Sequence, residues 1–339
     1  MTERRFLARH TPALCVAFAA AAWSGNMLYS IGEPGSALKY WSPSLVAGAM
    51  IAFLIVHGRS CYDGRAVFVF VVNIFLIGWT FETISVLTGF PFGNYHYTEI
   101  MGPFIGHVPI SVMPAYCVMG YASWSMARIL LKRFDQSIDG TDRFFTPIVA
   151  AALMVLWDLS MDPLRATVEG RWIWIGGGPH YGVPIMNFAG WFGVTWLMFQ
   201  CFAMWLGRSR AEANPQACSR VFWLAVPLMY AAFAGEYIVN PFVGENASAV
   251  VRVNGAPMPI VAIYQDIAVL TAATIVPAAV VAALRISQYF SAGAYSGDVE
   301  PAVAEDTQDD RTEWIAVRLR HHHSLAAQGG SGGADEHRA

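Results

Sequence analysis

Charged residues are scarce in this chain: Asp, Glu, Lys and Arg make up 13% of its 339 residues, whereas 55% are hydrophobic and the mean hydropathy is +0.43. A soluble domain carries roughly 25% charged residues. The shortage excludes an ordinary cytosolic protein, and the high hydrophobicity excludes disorder over most of the chain, because disorder requires low hydrophobicity. We therefore expect an all-α, polytopic membrane protein, a helical bundle of about eight transmembrane helices.

An excess of positive charge is also lacking, since 21 Lys and Arg stand against 24 Asp and Glu. This balance excludes a nucleic-acid binder that works through a basic field. The five cysteines include no CxxC pair, which argues against a disulfide framework or a zinc site. The histidines outside the C-terminal tail show no HxxxH or HxxHH spacing, so we expect no metal. GxGxxG, Walker A and GxSxG motifs are absent too, which removes dinucleotide, NTP and serine-hydrolase signatures.

Long apolar runs are what the sequence does have, and a span needs about 20 mostly apolar residues. The first run leads into Trp23, Asn26 and Tyr29 without a clear cleavage site, so we interpret it as a retained helix. The predicted spans are residues 12–31, 40–57, 66–89, 108–131, 144–161, 184–206, 221–239 and 258–284.

The distribution of Lys and Arg predicts the orientation of these spans. Seventeen of the 21 flank one side, whereas Lys39, Arg165, Arg171 and Arg252 flank the other. We therefore expect both termini to be cytoplasmic. Residues 1–290 should form the membrane bundle and residues 291–339, rich in Gly, Ser and acidic residues, a flexible cytoplasmic tail. The histidine tract at 321–323 lies in that tail and is given no catalytic role.

Five acidic residues fall inside predicted spans, where ionisable groups are costly and mark functional sites. They are Glu82, Asp158, Asp162, Glu236 and Asp266, and the predicted topology places all five in the outer half of the membrane. No Lys or Arg lies in the middle of a predicted span to neutralise them. Glu236 lies near a helix end, where its carboxylate could simply extend to water at the membrane surface, so we expect it to lie outside the site. The other four acids, Glu82, Asp158, Asp162 and Asp266, should share a pocket.

Two outer loops carry polar and aromatic residues toward the same face, and their Gly and Pro content lets them bend back toward the bundle. A plainer interpretation is that such aromatics form only the interfacial belt. The predicted substrate-binding residues are Asn94, Tyr95, His96, Tyr97, Trp157, Trp172, Trp174, His180, Tyr181 and Asn187.

Carboxylic acids in a dry pocket walled by aromatics form a general-acid site, because aromatic faces stabilise a developing cation. This combination suits protonation of an electron-rich alkene. Asp158 and Asp162 lie four residues apart on one helix face, where two carboxylates resist simultaneous ionisation. We expect Pro163 to end the helix and to leave Asp162 nearer to water. Asp158 is therefore the predicted proton donor and Asp162 its partner. Either Asp162 or Glu82 is the predicted base that orients the attacking water, and Asp266 is a further catalytic candidate.

Four segments carry a family resemblance: GFPFGNYHYT at 89–98, WDLSMDP at 157–163, WIW at 172–174 and YGVPIMNFAGWF at 181–192. With these motifs, residues 10–290 resemble the carotenoid biosynthesis membrane family, which includes CruF-type and bisanhydrobacterioruberin hydratases. The resemblance implies a helical bundle in a prokaryotic cell membrane. It also implies addition of water across the terminal C=C of an acyclic carotenoid end, a hydro-lyase reaction that gives a tertiary alcohol without a redox cofactor.

The expected partners are the carotenoid substrate in the bilayer and membrane lipid, with other carotenoid biosynthesis enzymes as candidates and no nucleic acid. Two other functions remain open. One is a prenyltransferase or cyclase acting on isoprenoid lipids, since the Asp158–Asp162 spacing resembles their DxxxD motif, although basic partners for a diphosphate are few. The other is a proton-coupled transporter or carotenoid-binding subunit that uses the same acids as a relay.

Overall fold

The computed structural model describes residues 2–33, 35–134, 138–208, 219–243 and 249–291. These residues form an all-α bundle, as predicted, with three small two-stranded sheets in its loops. The predicted tail at 291–339 and its histidine tract lie outside the described residues, apart from Ser291 at the end of the last helix.

The predicted spans correspond to helices, although two of them are broken into pairs. The helices are α1 (Thr2–Ile31), α2 (Ala37–Cys61), α3 (Gly64–Thr88), α4 (Val112–Leu130), α5 (Asp142–Asp162), α6 (Ile185–Leu206), α7 (Arg220–Tyr230), α8 (Ala232–Val243), α9 (Ile260–Ala273) and α10 (Ile275–Ser291). Side-chain caps fix several starts: Ser36, Asp63 and Ser219 accept hydrogen bonds from backbone N–H groups three residues on. Helices α7 and α8 meet at a 42° bend soon after Pro227, which cannot donate a helical hydrogen bond.

Among the described residues, six helical segments are long and apolar enough to span a membrane, or seven if α7 and α8 count as one bent span. With the bent pair counted, this is one span fewer than the eight predicted, and the missing span is α4. That helix has 19 residues and is buried by the rest of the bundle over most of its length. Its polar positions, including Ser123, Ser125 and Arg128, pack inside the protein, which explains why its sequence is less apolar than that of a lipid-facing helix.

The loop strands bring two distant segments together. Strand β1 (Tyr95–Tyr97) pairs antiparallel with β4 (Trp172–Trp174), while β2 (Phe104–Ile105) pairs with β3 (Val108–Pro109) and β5 (Val250–Val253) with β6 (Ala256–Pro259). Because successive side chains of a strand point to opposite faces, the aromatic residues at both ends of β1 and β4 share one face. The middle residues, His96 and Ile173, are exposed on the other.

The loop after α3 lies close against α6. A Cβ atom at Gly190 would lie 2.6 Å from the carbonyl oxygen of Pro91, so a larger residue there would push the loop away. Phe92 of this loop is buried and packs against Trp191. The contact holds the β1 strand over the centre of the bundle.

The helix that carries Asp158 and Asp162 does not end at Pro163, which corrects the sequence-based expectation. A π-helical turn, Pro163–Val168, continues α5 without a gap. Pro163 cannot donate to the carbonyl of Leu159 four residues before it, and His180 Nε2 lies 2.8 Å from that oxygen. A carbonyl only accepts, so His180 is the donor, and neighbouring groups of this kind make a proline tolerable in a buried helix.

Candidate active site

A cavity of about 580 Å³ lies inside the bundle beneath the β1–β4 ladder. Four acidic side chains line it, and each is at most 3% exposed. These are Glu82 on α3, Asp158 and Asp162 on α5, and Glu236 on α8. Three of the four acids predicted to share a pocket therefore do so.

Glu82 is held by three tyrosines. Tyr116 donates to its Oε1 at 2.7 Å, and Tyr97 donates to its Oε2 at 2.8 Å. Tyr95 donates to the same Oε2 through a short contact. Burial, and then the charge of Glu82, raise the pKa of the Tyr95 and Tyr97 phenols well above the usual value, so both remain O–H donors. Three donors around one acceptor-only group fit an ionised Glu82.

Asp162 is surrounded by N–H donors on both oxygens. Trp172 and Trp174 donate to its Oδ1 at 2.8 and 3.2 Å, and Asn187 donates to its Oδ2 at 2.7 Å. The two indoles come from β4, where the ladder turns them toward the cavity. This environment also fits an ionised carboxylate.

Asp158 has a different environment. The same Asn187 amide donates to its Oδ2 at 2.8 Å, so a single side chain bridges the two aspartates. Asp158 Oδ1 is buried and has no hydrogen-bond partner among the described residues. Among the described residues, it is the one of the eight carboxyl oxygens in the cavity that has no hydrogen-bond partner. This environment fits a protonated carboxylic acid that can donate its proton to a substrate.

Aromatic side chains form the remaining walls near the aspartates. Tyr116 and Trp191 stack with ring centroids 4.6 Å apart, and Trp157 meets Trp191 edge-on at 6.0 Å. All three line the cavity together with Phe233. The faces of these rings can stabilise a cation formed beside Asp158.

An ion-pair cluster, formed by Arg165, Glu169, Arg171 and Glu236, closes one side of the cavity. Arg165 Nη2 contacts both carboxylate oxygens of Glu236, at 2.7 and 2.8 Å, and its Nη1 contacts Glu169. Arg171 Nε lies 2.5 Å from Glu169. Burial alone would raise the pKa of Glu169, but the two arginines outweigh it and lower that pKa. These contacts join guanidinium N–H donors to carboxylate oxygens in a desolvated setting, which favours charged partners throughout the cluster.

This cluster corrects two sequence-based expectations. Glu236 was expected to be excluded, yet it lines the cavity and is 1% exposed. Arg165 was assigned to an outer loop, yet it neutralises Glu236 inside the protein. The error over Arg165 follows from ending the helix at Pro163, whereas Glu236 was excluded because an acid near a helix end can snorkel to water. With the helix continued, Asp158, Asp162, Arg165 and Glu169 fall at spacings of four, three and four residues, which is a single helical stripe.

Asp266 does not join the cavity, contrary to prediction. It is exposed on α9 and accepts a short hydrogen bond from Tyr181. Burial, and then this bond, raise the pKa of Tyr181 to about 12. The predicted substrate-binding residues Asn94, His96, His180 and Tyr181 also lie outside the cavity lining. Asn94 packs against Gly89, which ends α3 with φ +80°, and a Cβ atom there would lie 2.2 Å from the Asn94 side chain.

The predicted substrate-binding residues that do line the cavity are Tyr95, Tyr97, Trp157, Trp172, Trp174 and Asn187. Sequence reasoning missed Tyr116, which carries no charge and lies within an apolar helix. Within the part of the chain that the structure describes, no group of three or more His, Cys, Asp and Glu side chains is arranged to hold a metal ion.

Comparison with known proteins identifies the family. The sequence profile of the carotenoid biosynthesis protein family matches residues 41–256, which is well over half of the chain. The chain belongs to the carotenoid biosynthesis protein family. The four acids of the cavity lie inside the matched region, whereas Asp266 lies beyond it.

One curated relative is a bisanhydrobacterioruberin hydratase of Haloarcula japonica, 30% identical over 121 residues. The alignment covers 35% of this chain and 39% of the relative, so the chain spans about two fifths of the length of that protein. No solved structure matches. Together with its apolar helices, the family assignment makes the chain an integral membrane protein of carotenoid biosynthesis.

Proposed function

We propose that this protein is a carotenoid hydratase, which adds water across the terminal C=C of an acyclic carotenoid end to give a tertiary alcohol. The family and the relative named as a hydratase support the reaction class. The observation that carries the mechanism is the unmatched Oδ1 of Asp158 in a cavity where the other carboxyl oxygens accept hydrogen bonds.

The reaction begins with proton transfer from Asp158 to the less substituted carbon of the terminal double bond. This forms a new C–H bond and leaves a tertiary cation on the neighbouring carbon, beside the rings of Trp157 and Trp191. Water attacks the cation and forms the C–O bond, while Asp162 takes the proton that the water loses. Return of that proton to Asp158 closes the cycle, so the net change is one water added and no electrons transferred.

The two aspartates keep distinct roles because their donors differ. Three N–H groups stabilise the charged form of Asp162, and one amide reaches Asp158. The shared Asn187 holds both carboxyls at a fixed separation. A second charge beside Asp162 is unfavourable, which keeps the proton on Asp158 until an alkene arrives. Glu82 and its three tyrosines form a fixed wall of the site.

The orientation in the membrane is part of the proposal. The Lys and Arg distribution supports cytoplasmic ends of the bundle in a prokaryotic cell membrane, with the acids in the outer half. The residue-level assignment of donor and base rests on the geometry above.

Expression in a lycopene-producing host tests the function. Pigments extracted from those cells should gain the mass of one water molecule per hydrated end, compared with cells that carry an empty vector. A prenyltransferase would instead add isoprenoid units, and a cyclase or a binding subunit would leave the pigment mass unchanged. Either of those results would contradict a hydratase.

A further inference from the structure

A second cavity, of about 350 Å³, adjoins the acid-lined one. It lies between α2, α3, α4 and the β2–β3 strands. Ile51, Ile110, Pro114 and Val118 line both cavities, so the two spaces share a wall of four side chains. Among the described residues, the four side chains shared by the two cavities are all apolar, so the boundary between the cavities carries no charged group.

The lining of the second cavity is apolar throughout its described residues. Leu54, Val71, Met113 and Cys117 form its deeper part. The indole N–H of Trp79 donates to a backbone carbonyl at 3.3 Å, which leaves carbon surface for a ligand. No Asp, Glu, Lys, Arg or His is among the described residues that line it. Such a space accepts hydrocarbon and rejects an ion or a sugar.

The outer rim of this cavity faces the surroundings of the bundle. Ile55, Phe75 and Ile105 line it and are 47, 39 and 49% exposed. In a membrane protein, exposed apolar side chains on the helices contact lipid tails, which applies here to Ile55 on α2 and Phe75 on α3, whereas Ile105 lies on strand β2. Another part of the acid-cavity lining is formed by Arg165, Arg171 and Glu236 of the ion-pair cluster, where buried hydrocarbon would displace polar partners of charged groups. The apolar side is therefore the favourable route for a long hydrocarbon.

We propose that the second cavity holds the polyene chain of the substrate whose end reacts at Asp158, and that the substrate arrives from the bilayer through the rim at Ile55, Phe75 and Ile105. The assignment rests on the proposed function, since that function supplies a substrate with one reactive end and a long apolar remainder. The ligand class is an acyclic isoprenoid hydrocarbon.

Bulky substitutions in the second cavity test this assignment. Val71→Trp and Cys117→Phe fill the space from α3 and α4, and Leu76→Trp on the exposed side of α3 is the matched control. Each is combined with Asp158→Asn, and lycopene bound per protein is measured after purification from producing cells. The two filling variants should retain at least ~10-fold less pigment than the control, because a filled cavity costs the ligand its contacts.

The outcomes separate this inference from the hydratase proposal. Loss of pigment in both filling variants supports the cavity assignment even if the wild-type protein forms no hydrated product. Pigment at the control level in either filling variant, when it is expressed and elutes like the control, overturns the cavity assignment even if the wild-type protein is a hydratase.

Thiol labelling answers the same question without a bulky residue. Cys117 lines the second cavity. It becomes the single thiol of the protein when the other four cysteines are replaced by serine, namely Cys15, Cys61, Cys201 and Cys218. Bound lycopene should slow the reaction of Cys117 with a membrane-permeant maleimide at least ~10-fold, because the pigment blocks access. Equal labelling with and without pigment overturns the assignment.

Discussion

Asn187 is the one side chain that donates a hydrogen bond to both Asp158 and Asp162 among the described residues. Its amide donates to Asp158 at 2.8 Å and to Asp162 at 2.7 Å, and it is buried. Sequence reasoning placed Asn187 near the acids but assigned it to substrate binding. Its bridging position makes it a positioning residue, since it acts on the substrate through the two carboxyls.

Replacing Asn187 with leucine should therefore lower hydration strongly while the protein remains folded. Loss of a hydrogen bond to a charged group costs about 1.5–3 kcal/mol, which corresponds to roughly 10- to 150-fold in rate. The measurement is the rate of hydrated-pigment formation in membranes at matched protein level. Asn73→Leu is the control, because Asn73 donates to the Met198 carbonyl outside the acid cavity. Equal rates for both variants would exclude a bridging role.

His96 and Tyr97 are neighbours with opposite expectations. His96 was a predicted substrate-binding residue, but the ladder turns it outward, whereas Tyr97 donates to Glu82 at 2.8 Å. His96→Ala should leave the hydration rate within about twofold of wild type. Tyr97→Phe removes one O–H from the cavity and should lower the rate about 10-fold, in line with one charge-assisted hydrogen bond. A larger loss from His96→Ala than from Tyr97→Phe would contradict the orientation of the strand.

The acids show how far a single sequence predicts a site. A search of the apolar runs for ionisable residues predicted Glu82, Asp158 and Asp162 correctly, because the depth of a residue in the membrane follows from its position along the predicted helix. It gave the wrong result for Asp266, because depth does not tell which side of α9 faces the bundle. Glu236 was excluded because an acid near a helix end can snorkel to water, and its buried partner Arg165 was not foreseen.

At the scale of elements, the π-helical turn after Pro163 decides where Arg165 and Glu169 lie. His180 supports that turn by donating to the Leu159 carbonyl. Pro163 cannot donate to this carbonyl because proline has no backbone N–H. The sequence offered no sign of this contact, because His180 and Leu159 are 21 residues apart. It did contain the alternating Tyr and Trp residues of β1 and β4, which are the pattern of a two-stranded ladder with one buried face.

We expect His180→Ala to lower the free energy of unfolding of the purified protein by about 1 kcal/mol, the typical contribution of one buried hydrogen bond. In a Pro163→Ala background the same change should cost much less, because the introduced alanine supplies its own N–H group to the helix. The measurement is thermal unfolding in detergent for the four proteins of this cycle. An identical loss in both backgrounds would show that His180 acts elsewhere.

For the whole molecule, the sequence predicted the helical bundle well and its span count less well. Apolar runs located the helices, since hydrogen-bonded backbone is obligatory in lipid. They could not show that α4 is enclosed by its neighbours or that the seventh and eighth runs break into two helices each. Those features depend on packing between helices that are distant in sequence.

The orientation is a prediction at this scale. Reporter fusions placed after Arg143 and after Arg210 should report the cytoplasm, and a fusion after Gly178 should report the outside, because Lys and Arg accumulate beside the first two positions. Alkaline phosphatase and a fluorescent protein give complementary signals. An external location for either of the first two fusions would refute the topology and, with it, the placement of the acids in the outer half.

The most direct test of the central claim is the hydration rate of Asp158→Asn. Asparagine keeps the shape of the side chain and removes the acidic proton, so hydrated product should fall at least ~10²-fold at matched protein level. Pigment should still bind, because the cavity walls are unchanged. Near-normal hydrated product from Asp158→Asn membranes would contradict the account and transfer the proton donor to another group of the cavity.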